Sequence, residues 1–416
     1  MEHKYLFKDE YYEFLYTSIT YEINQVSPLL ELKRYQLLQE IKKEINIYIK
    51  NKNINIDVNN FLPRWIMLQF TDKIYYPDPL FPYNGSNNTQ LAEDIHYLSK
   101  KKISLHKANE IVNKLDLSSK FNNTIDQLRD FIKSDLYINN FNNLVTNIEL
   151  KGNYYYFSII IPSQLLGDIF IIDNSLMINY LEDSNSIRYN FKLNKKIIEK
   201  LINKTSNITI DLNDIFVQKF IITLSLRYNT LESCNQQAAV LPELYQYFKD
   251  NYNVDFELFG SSFNCFYKHY CSLFYDLESY YGSKGNFFNI DIIKGFYVAN
   301  PPFDATIMKN MALKLVESLN NSNEDLSVFI TIPDWDKPEY GGFECLDILR
   351  KSELIQYIEK VDKNRVVFFD YCENKYKNLV GVNFILIQNK YGKKKYPLKK
   401  ELKNILLKFF PIKIKK

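Results

Sequence analysis

Glycine and proline are scarce: the 416 residues hold only 11 Gly and 13 Pro. That composition excludes collagen-like and Pro/Gly-rich disordered classes, and it makes each cluster of turn residues informative. Cysteine is equally sparse. The five cysteines, Cys234, Cys265, Cys271, Cys345 and Cys372, are odd in number and form no CxxC pair, which argues against a disulfide framework. With only four His beside them, no metal site is expected and the thiols read as reduced. No apolar run approaches the about 20 residues of a membrane-spanning helix. The N-terminal MEHKYLFKDE is too charged for a signal peptide. A soluble, intracellular protein without a membrane partner is expected, in the cytoplasm (a host's, if the source is viral) or the nucleus.

Aromatic residues, by contrast, are abundant, with 33 Tyr and 30 Phe, and 46% of the chain is hydrophobic. Such a chain can bury a sizeable core, and its length suggests two or three domains. The net charge of +3 makes no whole-molecule argument for nucleic acid. Charge position says more, because residues 390–416 carry many lysines and a single acid, Glu401. This lysine-rich tail reads first as compositional drift in a Lys- and Asn-rich chain, and second as a phosphate-binding arm.

Residues 8–50 and 91–135 carry helical periodicity, with Ser27 followed by Pro28 as a start signal. Between them, residues 60–85 hold Pro63, Pro77, Pro79 and Pro82 and read as a loop. From about residue 151 the texture changes to short β-branched and aromatic runs such as NYYYFSIIIP, DIFIIDN and NITIDLNDIF. A boundary is therefore set there: 1–150 as a helical N-terminal domain, 151–416 as an α/β domain with extra strands at its start.

The region from 234 to 390 alternates strand and helix. LPELYQYFKDNY reads as a helix, VDFELFG and GFYVA as strands, DATIMKNMALKLVESLN as a helix begun at Asp304, and LSVFITIP as a strand. CLDILRKSELIQYIEK reads as one helix, and RVVFFDY and GVNFILIQ as further strands. This alternation predicts an open, mostly parallel sheet covered on both faces, whose ligands bind at the carboxyl ends of its strands. FELFGSS and VANPPF both occupy such ends.

Asn300-Pro301-Pro302-Phe303 stands at the second of these ends. Each proline fixes its own φ and holds the residue before it extended, so the Asn is presented on a stiff support. The Asn300 side-chain carbonyl and the Pro301 carbonyl can together accept both N–H groups of an exocyclic amine such as adenine N6, turning the nitrogen lone pair towards a methyl donor. Phe303 can stack on the purine face. The plainer reading is a loop bend with Phe303 in the core; the flanking strand and helix favour the chemical one. In FELFGSSFN, Gly260 lets backbone approach a ligand closely, while Asp276 and Glu278 are candidate acceptors for a ribose hydroxyl. Arg64 beside Trp65, and Arg227 beside Tyr228, are candidate RNA or cofactor contacts, set against the plainer reading of an ordinary surface arginine next to a core aromatic.

The motif [DNS]PP[YFW] at a strand end is similar to that of amino-methyltransferases that use S-adenosylmethionine. QAAVLPELYQYF, ELFGSSFNCFYKHYCSLFYDLESYYGSKGNFF, GFYVANPPF and VFITIPDW closely resemble, in order and spacing, the core of the cap-specific adenosine N6-methyltransferases, also called the phosphorylated-CTD-interacting-factor family. The resemblance implies a class I (Rossmann-like) methyltransferase domain with a helical N-terminal domain and S-adenosylmethionine as cofactor. It further implies methyl transfer to N6 of a 2′-O-methyladenosine next to a 7-methylguanosine cap, with a capped mRNA 5′ end as partner. By match to the motif, Asn300, Pro301, Pro302 and Phe303 would meet the target base, and Phe259, Gly260, Ser261 and Asn264 would line the cofactor loop, with Asp276 nearby. Animal members carry a WW module, and with only Trp65 and Trp335, far apart, a form without it and without polymerase-tail docking is expected. Two other readings stay open: a DNA adenine N6-methyltransferase, and a non-catalytic cap- or RNA-binding protein.

Overall fold

A computed structural model of the chain describes residues 3–7, 26–54, 56–71, 78–81, 88–99, 102–140, 145–162, 177–180, 186–204, 215–231, 237–335, 343–371 and 374–411. The chain divides into two compact units, one of residues 10–202 and 206–234, the other of residues 1–9, 203–205 and 235–416. The change of texture near residue 150 thus lies inside the first unit, because the strands that follow it form a sheet within that unit.

In the first unit, α1 (Pro28–Asn51) starts where Ser27 accepts a hydrogen bond from the Leu30 N–H and Pro28 occupies the first turn. Its buried face includes Leu30, Leu37, Leu38, Ile41 and Ile45. The proline-rich stretch read as a loop begins instead as a helix, α2 (Val58–Gln69), with Pro63 inside it. Asp57 caps it, and Phe61, Leu62, Trp65, Ile66 and Leu68 are all fully buried; tertiary burial outweighs the one backbone donor that Pro63 lacks. Helices α3 (Asn88–Leu98), α4 (Leu105–Leu115), α5 (Leu117–Lys133) and α6 (Asp135–Asn140) follow. A four-stranded antiparallel sheet then forms from β2 (Val145–Lys151), β3 (Tyr154–Pro162), β4 (Met177–Tyr180) and β5 (Ser186–Asn194), in the order β2-β3-β5-β4. Helices α7 (Lys195–Lys204) and α8 (Ile215–Thr230) come next. DIFIIDN, the first eight residues of NITIDLNDIF and residues 8–25 lie outside the described residues, and the last two of NITIDLNDIF open α8.

The second unit is a mixed α/β structure. Its helices are α9 (Pro242–Tyr252), α10 (Tyr275–Glu278), α11 (Ala305–Asn321), α12 (Phe343–Lys351), α13 (Lys390–Lys395) and α14 (Lys399–Phe409). Its main sheet contains β1 (Lys4–Phe7), β7 (Phe256–Glu257), β8 (His269–Tyr270), β9 (Ile290–Ala299), β10 (Leu326–Pro333), β11 (Ile355–Val361) and β14 (Val382–Gln388). The path is β11-β14-β10-β9-β7-β8, with β1 added against β9. Parallel pairing joins β8, β7, β9 and β10, whereas β14 runs antiparallel to both β10 and β11. A smaller antiparallel sheet joins β6 (Ala238–Val240), β12 (Phe368–Asp370) and β13 (Lys375–Lys377).

Alternation along the strands sorts the main sheet into two apolar layers. Phe296 and Val298 of β9 and Phe329 of β10 join Phe248, Phe384 and Leu386 on one face. Tyr297 and Ala299, with Val328 and Ile330, join Met308, Met311 and Leu315 of α11 on the other. Phe248 meets Phe329 at 4.8 Å between ring centroids, and removing such a buried anchor costs about 3–5 kcal/mol. Residues 345–360 do not form one helix: α12 ends at Lys351, Glu353 turns the chain at φ 58, and Leu354 onwards leads into β11. The lysine-rich tail is likewise built into the fold, since Leu402, Ile405, Leu406 and Phe410 of the α14 segment are buried while Lys400 and Lys403 face out. Among the described residues no helix is long and apolar enough to cross a membrane.

Candidate active site

Both singled-out loops leave the same end of the sheet. Glu257 of β7 stands level with Val298 of β9 in a parallel register, so the chain exits β7 at Leu258 beside the point where β9 exits at Asn300. Leu258 N–H donates to the Val298 carbonyl at 2.8 Å, and Gly260 N–H to the Cys271 carbonyl at 2.9 Å, so the first loop stays hydrogen-bonded to both neighbouring strands as far as Gly260.

Beyond Gly260 the loop folds onto itself. Ser261 N–H donates to Asn264 Oδ1 at 2.7 Å, and Ser261 Oγ donates to Gln237 Oε1 at 2.5 Å. Ser262 N–H and Oγ donate to Glu278 Oε1 at 2.6 and 3.1 Å, and Phe274 N–H reaches the other oxygen of that fully buried carboxylate. Glu257, also buried, accepts from the Phe266 and Tyr267 N–H groups and pins the returning limb. Glu278, a sequence candidate for a ribose hydroxyl, is thus spent on holding the loop. Asp276 lies half-buried in α10, two residues before it. Phe259 packs against Phe287 at 5.0 Å and Phe288 at 6.0 Å between centroids. A Cβ added to Gly260 would stand 3.3 Å from Cys265 Cβ, so the loop closes tightly over that glycine. Burial pushes the Cys271 thiol well above its ordinary range, which removes it as a nucleophile. Burial, with Glu257 nearby, likewise holds the Tyr371 hydroxyl protonated.

The second loop is built differently. Asp304 caps α11, its Oδ1 accepting from Thr306 N–H at 2.9 Å and Ile307 N–H at 3.1 Å, and its own N–H donates to the Pro302 carbonyl at 2.7 Å. The prolines and the cap hold Asn300 at the strand end. Its Oδ1 is buried and finds no hydrogen-bond partner among the described residues. Phe303 is half-buried, its ring edge-on to Phe368 at 5.9 Å. A buried amide oxygen without a donor is costly, and such atoms mark places where a ligand or water completes the bonding.

The fold brings Asn300, Pro301, Pro302 and Phe303 to the same sheet end as Phe259, Gly260, Ser261 and Asn264. The two arginine candidates lie elsewhere, in the first unit. Trp65 is fully buried and stacks on Phe121 at 5.7 Å, Arg64 pairs with Asp94, and Arg227, buried, donates to Glu31 at 2.8 and 2.6 Å. Arg64, partly exposed beside the core Trp65, fits the plainer reading; Arg227 fits neither, since it is buried and spent on Glu31. Sequence reasoning missed Gln237 and Glu257. Glu257 had a signal, an acid flanked by Phe256 and Leu258 inside the strand VDFELFG; Gln237 had none, because its partner is 24 positions away. Among the described residues no group of three or more His, Cys, Asp or Glu could hold a metal ion.

A family model described as "Phosphorylated CTD interacting factor 1 WW domain" matches residues 197–370, which include both loops. Over these residues, somewhat under half of its length, the chain is similar to that family. Two curated relatives are named mRNA (2′-O-methyladenosine-N(6)-)-methyltransferase, one from Mus musculus and one from Homo sapiens, each 38% identical over 87 residues. That match takes in 21% of this chain and only 12% of each relative, so the chain is similar to a small part of them. The expectation of a form without the WW module does not stand beside the description of the matched family, and the exclusion of polymerase-tail docking goes with it. That expectation rested on counting tryptophans, whereas the matched region spans most of the α/β unit and holds Trp335 alone.

Proposed function

We propose that this protein is an S-adenosylmethionine-dependent RNA methyltransferase that methylates N6 of the adenosine next to a 7-methylguanosine cap. We take its α/β unit as a class I, Rossmann-like methyltransferase domain. The observation that carries the reading is the buried Asn300 Oδ1, an acceptor without a donor among the described residues, held by two prolines at the carboxyl end of a central parallel strand. The relatives' names supply the substrate class, and the resemblance along 236–335 supplies the cap.

The target adenine would be taken with its amine at Asn300 Oδ1 and the Pro301 carbonyl, which accept one N–H each. Phe303 would lie on the base, itself fixed by Phe368. With both N–H groups held, the amine lone pair is turned out of the ring plane, and after transfer the nitrogen sheds one of those protons. A base inside a stack cannot reach such a site, so an unpaired 5′ end is the fitting substrate. S-adenosylmethionine, when bound, supplies an electrophilic methyl group. Phe259 and Gly260 of the loop after β7 would lie against it, while Ser261 and Asn264 hold the loop that carries them.

The test is transfer of labelled methyl to matched RNAs beginning with A, with and without a 7-methylguanosine cap, by wild type and Asn300→Ala. Cap-dependent label at N6 that disappears in the variant is expected. Equal labelling of uncapped DNA would move the assignment to a DNA adenine methyltransferase, and cap binding without any transfer would leave a binding protein.

A further inference from the structure

The strand beside the NPPF turn carries a second orphaned oxygen. Thr331 of β10 is buried, and its Oγ1, like Asn300 Oδ1, has no hydrogen-bond partner among the described residues. The two positions are neighbours. Ile330 stands opposite Ala299 in the parallel β9/β10 register, so Thr331 and Asn300 are the next residues along, about 5 Å apart across the sheet. Continued strand alternation would also put them on one face. Val298 and Phe329, two positions before each, belong to the apolar layer against which Phe303 packs, whereas Ala299 and Ile330 belong to the other.

Native folds leave few buried polar atoms unpaired, and one orphan is an isolated oddity. Two on adjacent strands, at the ligand-binding end of a parallel sheet, describe a polar patch that one ligand can complete. Their chemistry differs usefully: the Asn carbonyl only accepts, while a Thr hydroxyl also donates. Adenine offers a donor and an acceptor side by side, the N6 amine and the ring nitrogens that flank it. Guanine carries an acceptor where adenine has that amine, and cannot satisfy Asn300.

We propose that Thr331 is a specificity-determining residue of the target-base pocket, its hydroxyl donating to a ring nitrogen next to the amine that Asn300 and Pro301 hold. This rests on the adenosine N6-methyltransferase reading above. Asn300 faces the reacting amine and governs transfer; Thr331 faces a bystander atom and governs which base is taken.

Thr331→Val keeps the branched shape and deletes the hydroxyl. For a hydroxyl with only a structural role, losing a buried unpaired polar atom would leave function untouched and stability equal or higher. Expected here is a KM and Kd for capped RNA beginning with A raised about tenfold, with kcat little changed, S-adenosylmethionine affinity unchanged and Tm no lower than wild type. Thr331→Ser, which keeps the hydroxyl, restores most of the affinity. Wild type on RNAs carrying 1-deazaadenosine or 7-deazaadenosine at the target loses as much with one of them, and on that analogue the Val variant loses nothing further. Thr331→Ala gives the same non-additivity if the Val variant fails to fold. Equal KM and Kd for wild type and both hydroxyl-free variants, or full additivity with both analogues, overturns the proposal while leaving the parent reading intact. Wild type that labels no RNA overturns the parent reading and this one with it.

Discussion

Two loops leave one end of one sheet, and they differ in how they treat their polar atoms. Around the loop after β7, Ser261 bonds Asn264 and Gln237, Ser262 bonds Glu278, and Glu257 accepts from the Phe266 and Tyr267 N–H groups. In the turn after β9, the backbone is fixed by prolines and the Asp304 cap, yet Asn300 Oδ1 is left open, with Thr331 Oγ1 open beside it. The first loop spends its polar groups on shape. The second spends stiffness on presenting groups that nothing among the described residues uses. The difference separates a support from a reacting surface, which composition alone could not do, since both stretches are short and follow a strand.

The sharpest way to break the comparison is at Asn300. Asn300→Ala removes no side-chain hydrogen bond found among the described residues, so Tm should stay within about 1 °C of wild type. kcat/KM should still fall about 10²–10³-fold, the usual cost of losing one polar contact aimed at a reacting atom. A variant that loses Tm along with activity would make Asn300 part of the scaffold.

Glu278→Ala should behave in the opposite way. Two buried donors, Ser262 N–H and Phe274 N–H, lose their acceptor together, while Ser262 Oγ keeps only Tyr270 Oη at 2.7 Å. The expected loss is about 3 kcal/mol of stability by denaturant unfolding, with Glu278→Gln milder because one oxygen remains. Full stability in the Ala variant would show that the loop does not depend on its buried carboxylate.

What was legible beforehand follows the same division. β9, α11 and β10 could be read because each signal is local: an apolar run, NPPF as a stop, Asp304 as a cap, then another apolar run. The α2 helix could not, because Pro63 is a local warning outweighed by burial of Trp65 and its neighbours. Nor could the break between α12 and β11, where the periodicity of 345–360 runs across a single left-handed residue, Glu353. The site divides likewise. Asn300 to Phe303 and Gly260 announce themselves by residue type, whereas the Gln237–Ser261 and Ser262–Glu278 bonds join positions 24 and 16 apart. The open Thr331 hydroxyl depends on strand register, which one sequence does not reveal.

A smaller effect sharpens the comparison from within the support. Gly260→Ala would set a methyl 3.3 Å from Cys265 Cβ, so the loop must give by a few tenths of an ångström. Expected is a stability loss of about 1 kcal/mol, with weaker S-adenosylmethionine binding by calorimetry and no change in affinity for capped RNA. Unchanged cofactor affinity would separate this loop from the cofactor.

The smallest effect lies at the opposite, amino ends of the same strands. His269 opens β8, and burial, then the nearby Lys284 charge, lowers its pKa. The folded chain therefore binds that proton less readily than the unfolded chain does. Stability is full above the ordinary imidazole value of about 6.5 and declines as pH falls below it, because there the unfolded state takes up the proton first. Asp255, just before β7, adds to the decline at lower pH: burial raises its pKa, but the bond to His3 at 2.7 Å and that ring's charge leave it lowered overall. Its stabilising share is present above the ordinary carboxylate value of about 4 and is lost as pH falls through that range. Thermal unfolding from pH 8 to pH 5 should show a shallow fall in Tm for wild type, flattened by His269→Gln. Because these groups sit at the far ends of the strands from Asn300, kcat/KM measured well below Tm should not follow the same curve. If the His269→Gln variant shifts the activity profile instead, the amino ends of these strands are coupled to the reacting end, and support and surface are not separate after all.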